Sequence, residues 1–169
     1  LHSKEEALTF LETYRSLIVY CGVSEARSDR GQMRCDVNVS ISDTDELGTK
    51  VEMKNINSFY NVGRAIDYEI ERQTKLINEG VVLKEETRRW DDKTGSTILM
   101  RVKETGNDYR YFPEPDIPFI HLSDEDILEA SKDIPMLPDE RRKIYVERGI
   151  SKLNTQKVIN HREMSDFLN

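Results

Sequence analysis

Residues 33–42 alternate without a break. Met33, Cys35, Val37, Val39 and Ile41 fall on one side of an extended chain, and Arg34, Asp36, Asn38, Ser40 and Ser42 on the other. Ten residues at period two commit the segment to a half-buried strand. Residues 43–48 carry turn chemistry. A second alternating run follows, with Val51 and Met53 against Lys50, Glu52 and Lys54. Residues 33–42 and 49–55 are therefore expected to pair as an antiparallel hairpin. A one-residue slip would turn every side chain to the other face, so the shared apolar side fixes the parity of the register.

Helical spacing brackets this hairpin. Ser3 and Glu6 have the form of a capping box, and Ala7, Leu8, Leu11, Tyr14, Leu17, Ile18 and Cys21 then recur at helical intervals up to Gly22. This predicts a helix over residues 4–21. A second helix is expected after Asn57 or Ser58, carrying Phe59, Val62, Ile66, Ile70, Gln73 and Ile77 to a stop at Gly80. Residues 81–90 and 97–103 read as another strand pair, with Gly95 at the left-handed position of the connecting loop. The three prolines of residues 113–118 bar helix. Beyond them the pattern is helical: Ser123 caps a short acidic helix, Pro138 opens a helix ending near Gly149, and residues 156–168 form an amphipathic stretch. The expectation is an α+β fold built on an antiparallel sheet with flanking helices, followed by the start of an all-helical domain. The boundary falls near residues 118–122, giving domains 1–120 and 121–169.

Several functions are disfavoured. A net charge of −7 argues against a dedicated nucleic-acid-binding module, which is usually basic. No run of 18 apolar residues offers a membrane span, and the first residues lead us to expect no signal peptide. The start at Leu1 rather than Met leads us to expect an internal piece of a longer protein. Cys21 and Cys35 are expected to be buried free thiols of a reducing cytosol, which places the protein in the cytoplasm. His2, His121 and His161 are scattered, so no zinc cluster is expected. There is no phosphate-binding Gly-x-x-x-x-Gly-Lys-[Ser/Thr] loop, so any use of ATP must come through a sheet-based site.

The polar side of the first hairpin holds the most chemistry. One strand supplies Arg34, Asp36 and Asn38, and the other supplies Lys50, Glu52 and Lys54. The parity places Asp36 directly or diagonally across from Glu52, with Cβ atoms roughly 4.5–8 Å apart. Carboxylates that close repel unless a cation or base lies between them. Magnesium suits the position, because it takes carboxylate oxygens and keeps water sites for phosphates. A surface ladder of ion pairs, Asp36 to Lys54 and Glu52 to Arg34, accounts for the same residues. The second strand pair supplies Glu86, Arg88, Arg89, Arg101 and Lys103; the arginines suit phosphate, and cross-strand pairing with Glu85, Glu86 and Glu104 is the alternative.

Four strings carry a resemblance. They are Arg34-Cys35-Asp36-Val37-Asn38-Val39-Ser40; Glu52-x-Lys54-Asn55-x-Asn57-Ser58-Phe59; Glu86-Thr87-Arg88-Arg89 with Met100-Arg101-x-Lys103-Glu104; and Asp108-Tyr109-Arg110-Tyr111-Phe112-Pro113-Glu114-Pro115-Asp116. In this order and spacing they resemble the B-subunit family of glutamine-dependent Asp/Glu-tRNA amidotransferases. The likeness extends through Leu137-Pro138-Asp139-Glu140-Arg141 and Met164-Ser165-Asp166-Phe167.

The resemblance implies a cradle similar to the catalytic fold of glutamine synthetase and the guanidino kinases, of which residues 1–120 would be the C-terminal part. It implies binding of ATP and magnesium, and phosphorylation of the Glu or Asp side chain on mischarged Glu-tRNA(Gln) or Asp-tRNA(Asn). Ammonia from the glutaminase (A) subunit then displaces the phosphate, with a small (C) subunit completing the complex. By resemblance Asp36 and Glu52 match metal-site carboxylates, with Arg34, Lys54, Arg88, Arg101 and Lys103 as candidates for phosphate or substrate. Further metal ligands and a tRNA-contacting tail are expected outside these residues, so the piece alone is expected to be inactive. Two other functions fit the residues: a scaffold holding a partner protein, and a kinase of small-molecule carboxylates.

Overall fold

A computed structural model describes residues 1–102 and 113–168. The elements run α1 (Lys4–Tyr20), β1 (Cys35–Val39), β2 (Val51–Ile56), α2 (Phe59–Asn78), β3 (Glu86–Asp91), β4 (Ser96–Val102), α3 (Asp124–Ser131), α4 (Pro138–Glu147), α5 (Lys152–Ile159) and α6 (Arg162–Leu168). They fall into two compact units, one from residues 1–13 and 26–107 and the other from residues 14–25 and 108–169. Among the described residues no helix is long and apolar enough to cross a membrane.

The first unit is built on one sheet of order β1-β2-β3-β4. The α+β class holds, but the sheet is mixed rather than antiparallel. β1–β2 and β3–β4 are antiparallel hairpins, whereas β2 and β3 run parallel. The reason lies in the connection. Parallel neighbours need a long crossover, and the 20-residue α2 between β2 and β3 supplies it. Ser58 caps this helix by accepting from the Asn61 N–H. Met53, Ile56, Val62, Ala65, Ile66 and Trp90 pack with Leu11 of α1 into the core, and Cys35, Val37 and Val39 lean on its edge. The sheet thus has one side covered by α2 and one polar side.

The first hairpin is shorter than the alternation suggests. Only Cys35–Val39 and Val51–Ile56 are regular strand. The hairpin neck is tight at Gly48, where a Cβ would lie 2.0 Å from the Ile41 carbonyl oxygen, so only glycine fits. The register breaks once: Val37 faces Met53 and Cys35 faces Ile56, which leaves an extra residue on β2. Asn55 takes the left-handed conformation there, with φ of 61°. This bulge lets both Met53 and Ile56 enter the core, although strict alternation would have turned Ile56 outward.

In the second unit, Tyr20 is buried and its hydroxyl donates to the Ile159 carbonyl at 2.9 Å, while the Arg141 guanidinium lies 4.9 Å above its ring. Arg141 also donates to the Met136 carbonyl, to Ser165 Oγ at 2.9 Å and to Asp166 Oδ1 at 2.6 Å. The Tyr145 hydroxyl donates to the Ser165 carbonyl at 2.8 Å. The C-terminal amphipathic stretch is two helices rather than one, because Asn160 and His161 separate α5 from α6. Cys21 is exposed, contrary to expectation, because α1 ends one residue before it; Cys35 is half-buried, and both thiols are free.

Candidate functional site

Register places the polar side chains. On β1 and β2, Asn38 stands directly opposite Glu52, which puts Asp36 on the diagonal toward Lys54. β2 and β3 then align Glu52 with Thr87 and Lys54 with Arg89. β3 and β4 align Thr87 with Arg101. Cross-strand partners share a side of the sheet, so Asp36, Asn38, Glu52, Lys54, Thr87, Arg89 and Arg101 all belong to the polar side. The two strand pairs, separate in the sequence analysis, form one surface because β2 and β3 are neighbours.

Lys54 sits at the centre of this surface. Its Nζ lies 3.3 Å from Asp36 Oδ2 and 3.1 Å from Glu52 Oε1. The hydrogen bond to Glu52, then that to Asp36, raise its pKa above the ordinary lysine value. Arg34 Nε approaches the other Asp36 oxygen at 3.4 Å from an exposed position. On its far side Glu52 accepts from the Thr87 hydroxyl at 3.3 Å, and Arg101 Nε reaches the same hydroxyl oxygen at 3.5 Å. The expected proximity of Asp36 and Glu52 is therefore present, with an ammonium between them. The ion-pair ladder is present in part, through Asp36 and Lys54.

Arg88 departs from the expected group. It is aligned with Met53, on the side covered by α2. There its guanidinium meets Glu86 at 2.8 Å, Glu69 at 3.3 Å and Thr97 Oγ1 at 2.8 Å. It is 12% exposed. The expected ion pairing with Glu86 is present, but it runs along β3 rather than across strands, and the acid that meets Arg88 from another element is Glu69 of α2. Lys103, by contrast, lies outside the described residues.

Glu69 anchors that covered cluster, and sequence reasoning missed it. It is fully buried on α2, accepts bidentate bonds from Arg72 and one from Gln73 at 3.1 Å, and accepts one from Thr97 Oγ1. Burial pushes its carboxyl up, but the bonds from Arg72, Thr97 and Gln73 together outweigh this and hold it below the usual carboxylate range. Thr87 was missed as well. Its signal was the strand–long helix–strand order of β2, α2 and β3, which implies parallel neighbours and so brings residue 87 beside residue 52.

The string after Glu52 is explained by folding. Asn55 forms the bulge, Ser58 caps α2 and Phe59 leans on the core. Asn57 Oδ1 accepts from Asn61 at 2.8 Å, and Asn61 also donates to Asp92 Oδ2 at 2.9 Å, which ties the start of α2 to the β3–β4 turn.

Residues 1–128 match the family described as the GatB/GatE catalytic domain. The chain belongs to this family. Similar curated relatives are named as the B subunit of aspartyl/glutamyl-tRNA(Asn/Gln) amidotransferase. That of Ruminiclostridium cellulolyticum is 48% identical over 99% of this chain and 35% of its own length. That of Ligilactobacillus salivarius is 46% identical over 99% of this chain and 36% of its own length. The chain thus spans about a third of the length of the relatives it matches. The catalytic-domain match covers the whole polar side of the sheet.

Among the described residues no group of three or more His, Cys, Asp and Glu side chains is arranged to hold a metal. Asp36 and Glu52 nevertheless fit a shared divalent cation in kind. They present hard oxygen donors, and both already turn an oxygen toward one positive centre. Magnesium commonly takes only one or two protein carboxylates and completes its shell with water and phosphate oxygens.

Proposed function

We propose that the chain forms part of the ATP-using site of a tRNA-dependent amidotransferase. In the reaction, the γ-phosphoryl group of ATP passes to a side-chain carboxylate oxygen of Glu or Asp carried on mischarged tRNA, and ADP leaves. Ammonia derived from glutamine then attacks the acyl carbon, phosphate departs, and a proton is lost to leave the amide. A free carboxylate resists ammonia because its leaving group would be oxide, whereas the acyl phosphate has a good leaving group.

The observation that carries this reading is the joint placement of Asp36 and Glu52 about a single cationic centre, on a sheet face that also bears Arg89 and Arg101. Asp36 and Glu52 would hold magnesium, which when bound supplies positive charge beside the transferring phosphoryl group. Thr87 fixes the orientation of Glu52 through its hydroxyl. Arg101 and Arg89 bind phosphate oxygens, for which the guanidinium fork is suited, and Lys54 adds a mobile positive charge. Arg88 takes no part in binding and secures α2 to the sheet. The remaining ligands and the tRNA grip come from other parts of the full-length polypeptide. A glutaminase subunit supplies the ammonia, a small third subunit completes the assembly, and the complex works in the cytoplasm.

The test uses the full-length polypeptide assembled with its partner subunits. Asp36→Asn and Glu52→Gln each keep size and hydrogen bonding but remove one negative charge. Each is expected to abolish acyl-phosphate formation and transamidation, with glutaminase activity and assembly intact. Normal formation of the phosphorylated intermediate in Asp36→Asn would remove this assignment.

A further inference from the structure

We propose that Lys54 is an internal counter-ion that holds the Asp36–Glu52 pair together until a divalent cation displaces its ammonium. The inference rests on the metal role of the two carboxylates proposed above, and extends it to how the site behaves before and after loading.

The geometry is specific. Lys54 and Glu52 lie two residues apart on one strand, so both project from the same side of the sheet. Asp36 reaches the same ammonium from β1. Nζ at 3.1 Å and 3.3 Å from the two carboxylates occupies the place a shared cation would take. One ammonium neutralises only one of the two negative charges, whereas a divalent cation neutralises both. The two cations repel and compete for the same oxygens.

The surroundings favour movement of the lysine rather than of the carboxylates. Glu52 is 17% exposed and is bonded by Thr87 on its far side, so its position is fixed from β3. Lys54 is 26% exposed on a flexible four-carbon stem, and its ammonium can leave without any change in backbone. Arg89 stands beside it in the β2–β3 register, so a lysine released from the carboxylates meets like charge along the sheet. Its remaining direction is outward, where incoming phosphates would lie. Exchange thus keeps the empty carboxylates from repelling one another and frees a cationic arm for phosphate only once the divalent ion is seated.

The test is a manganese titration of the full-length polypeptide by electron paramagnetic resonance, with magnesium as competitor. Lys54→Met is expected to bind Mn2+ about tenfold more tightly than the wild type, because a like charge has been removed from the site. Lys54→Gln should behave in the same way and covers the case in which Lys54→Met does not fold. In the wild type, the 13Cε resonance of Lys54 should shift on adding Mg2+, with the midpoint of metal binding. Equal or weaker Mn2+ affinity in the folded Lys54 variants, or a Lys54 resonance indifferent to Mg2+, would overturn the exchange while leaving the carboxylates as ligands. If Asp36→Asn and Glu52→Gln do not weaken Mn2+ binding in the wild-type background, the metal reading itself fails, and the exchange with it.

Discussion

Arg88 Nε lies 3.3 Å from Glu69 Oε1, and the Thr97 hydroxyl joins both: it accepts from Arg88 and donates to Glu69. The triad bonds the middle of α2 to β3 and β4, beneath the side of the sheet that carries the candidate site. Its strength comes from mutual satisfaction. Glu69 is fully buried and Arg88 nearly so, and a charge left alone in such a place has no water to turn to.

Arg88→Ala is therefore expected to cost about 1–3 kcal/mol of folding stability, the range for a buried polar group that loses one partner, because Glu69 keeps Arg72 and Gln73. Arg101→Ala, at an exposed position on the polar side, should change stability by less than about 0.5 kcal/mol and act on ATP binding instead. Urea denaturation of the two variants separates the roles. An Arg88→Ala midpoint equal to that of the wild type would mean the pair contributes nothing to the fold.

The same cluster sets an acid limit. Glu69 has a folded-state pKa below its ordinary value of 4.5, so the folded form holds fewer protons than the unfolded form in the window between them. Its stabilising contribution is fully present above pH 4.5 and is lost as the pH falls through the lower folded value. Glu69→Gln should be less stable than the wild type at pH 7, and its stability should fall less steeply below pH 4.5. Parallel slopes for the two proteins in thermal melts from pH 6 to about pH 3 would contradict this.

Local pattern revealed most of the elements, because strand alternation, caps and stop glycines act over a few residues. The Ser58 cap and the left-handed Gly95 are where the sequence indicates, and Asp36 and Glu52 share a side as register parity requires. What failed depended on neighbours distant in sequence. The parallel pairing of β2 with β3 is decided by a helix crossing over the sheet, and alternation within each strand is blind to it. Arg88 and Arg89 are adjacent and chemically alike, yet one is buried under α2 and the other joins the polar side. Only the partner of each strand decides which. Glu69 was hidden for a related reason: a lone acid on a helix reads as solvated until Arg88 and Thr97 from the neighbouring strands are in place. The family strings identified the chain more readily than they explained it, since several of their residues serve a bulge, a cap and a turn.

Asn55 offers the sharpest test of how the backbone presents the site. It is exposed, so its side chain adds little packing, yet its φ of 61° lies where most L-residues are strained. Glycine adopts this conformation without strain, and asparagine is among the few others that tolerate it. Asn55→Gly is therefore expected to fold with stability within about 0.5 kcal/mol of the wild type. Asn55→Val should lose about 1–2 kcal/mol from backbone strain alone, since a β-branched residue disfavours the left-handed region. A second effect follows from register. If valine straightens the strand, residue 55 takes the inward position and Ile56 turns outward, which moves the start of α2 and its ties to Asp92. Lys54 and Glu52, just before the bulge, would keep their side of the sheet but lose the fixed spacing to Asp36. Asn55→Val should thus weaken Mn2+ binding at the carboxylate pair as well as stability, whereas Asn55→Gly should leave both near wild type. Equal stability of the two variants in urea denaturation would show that the bulge is not held by the conformational preference of this residue.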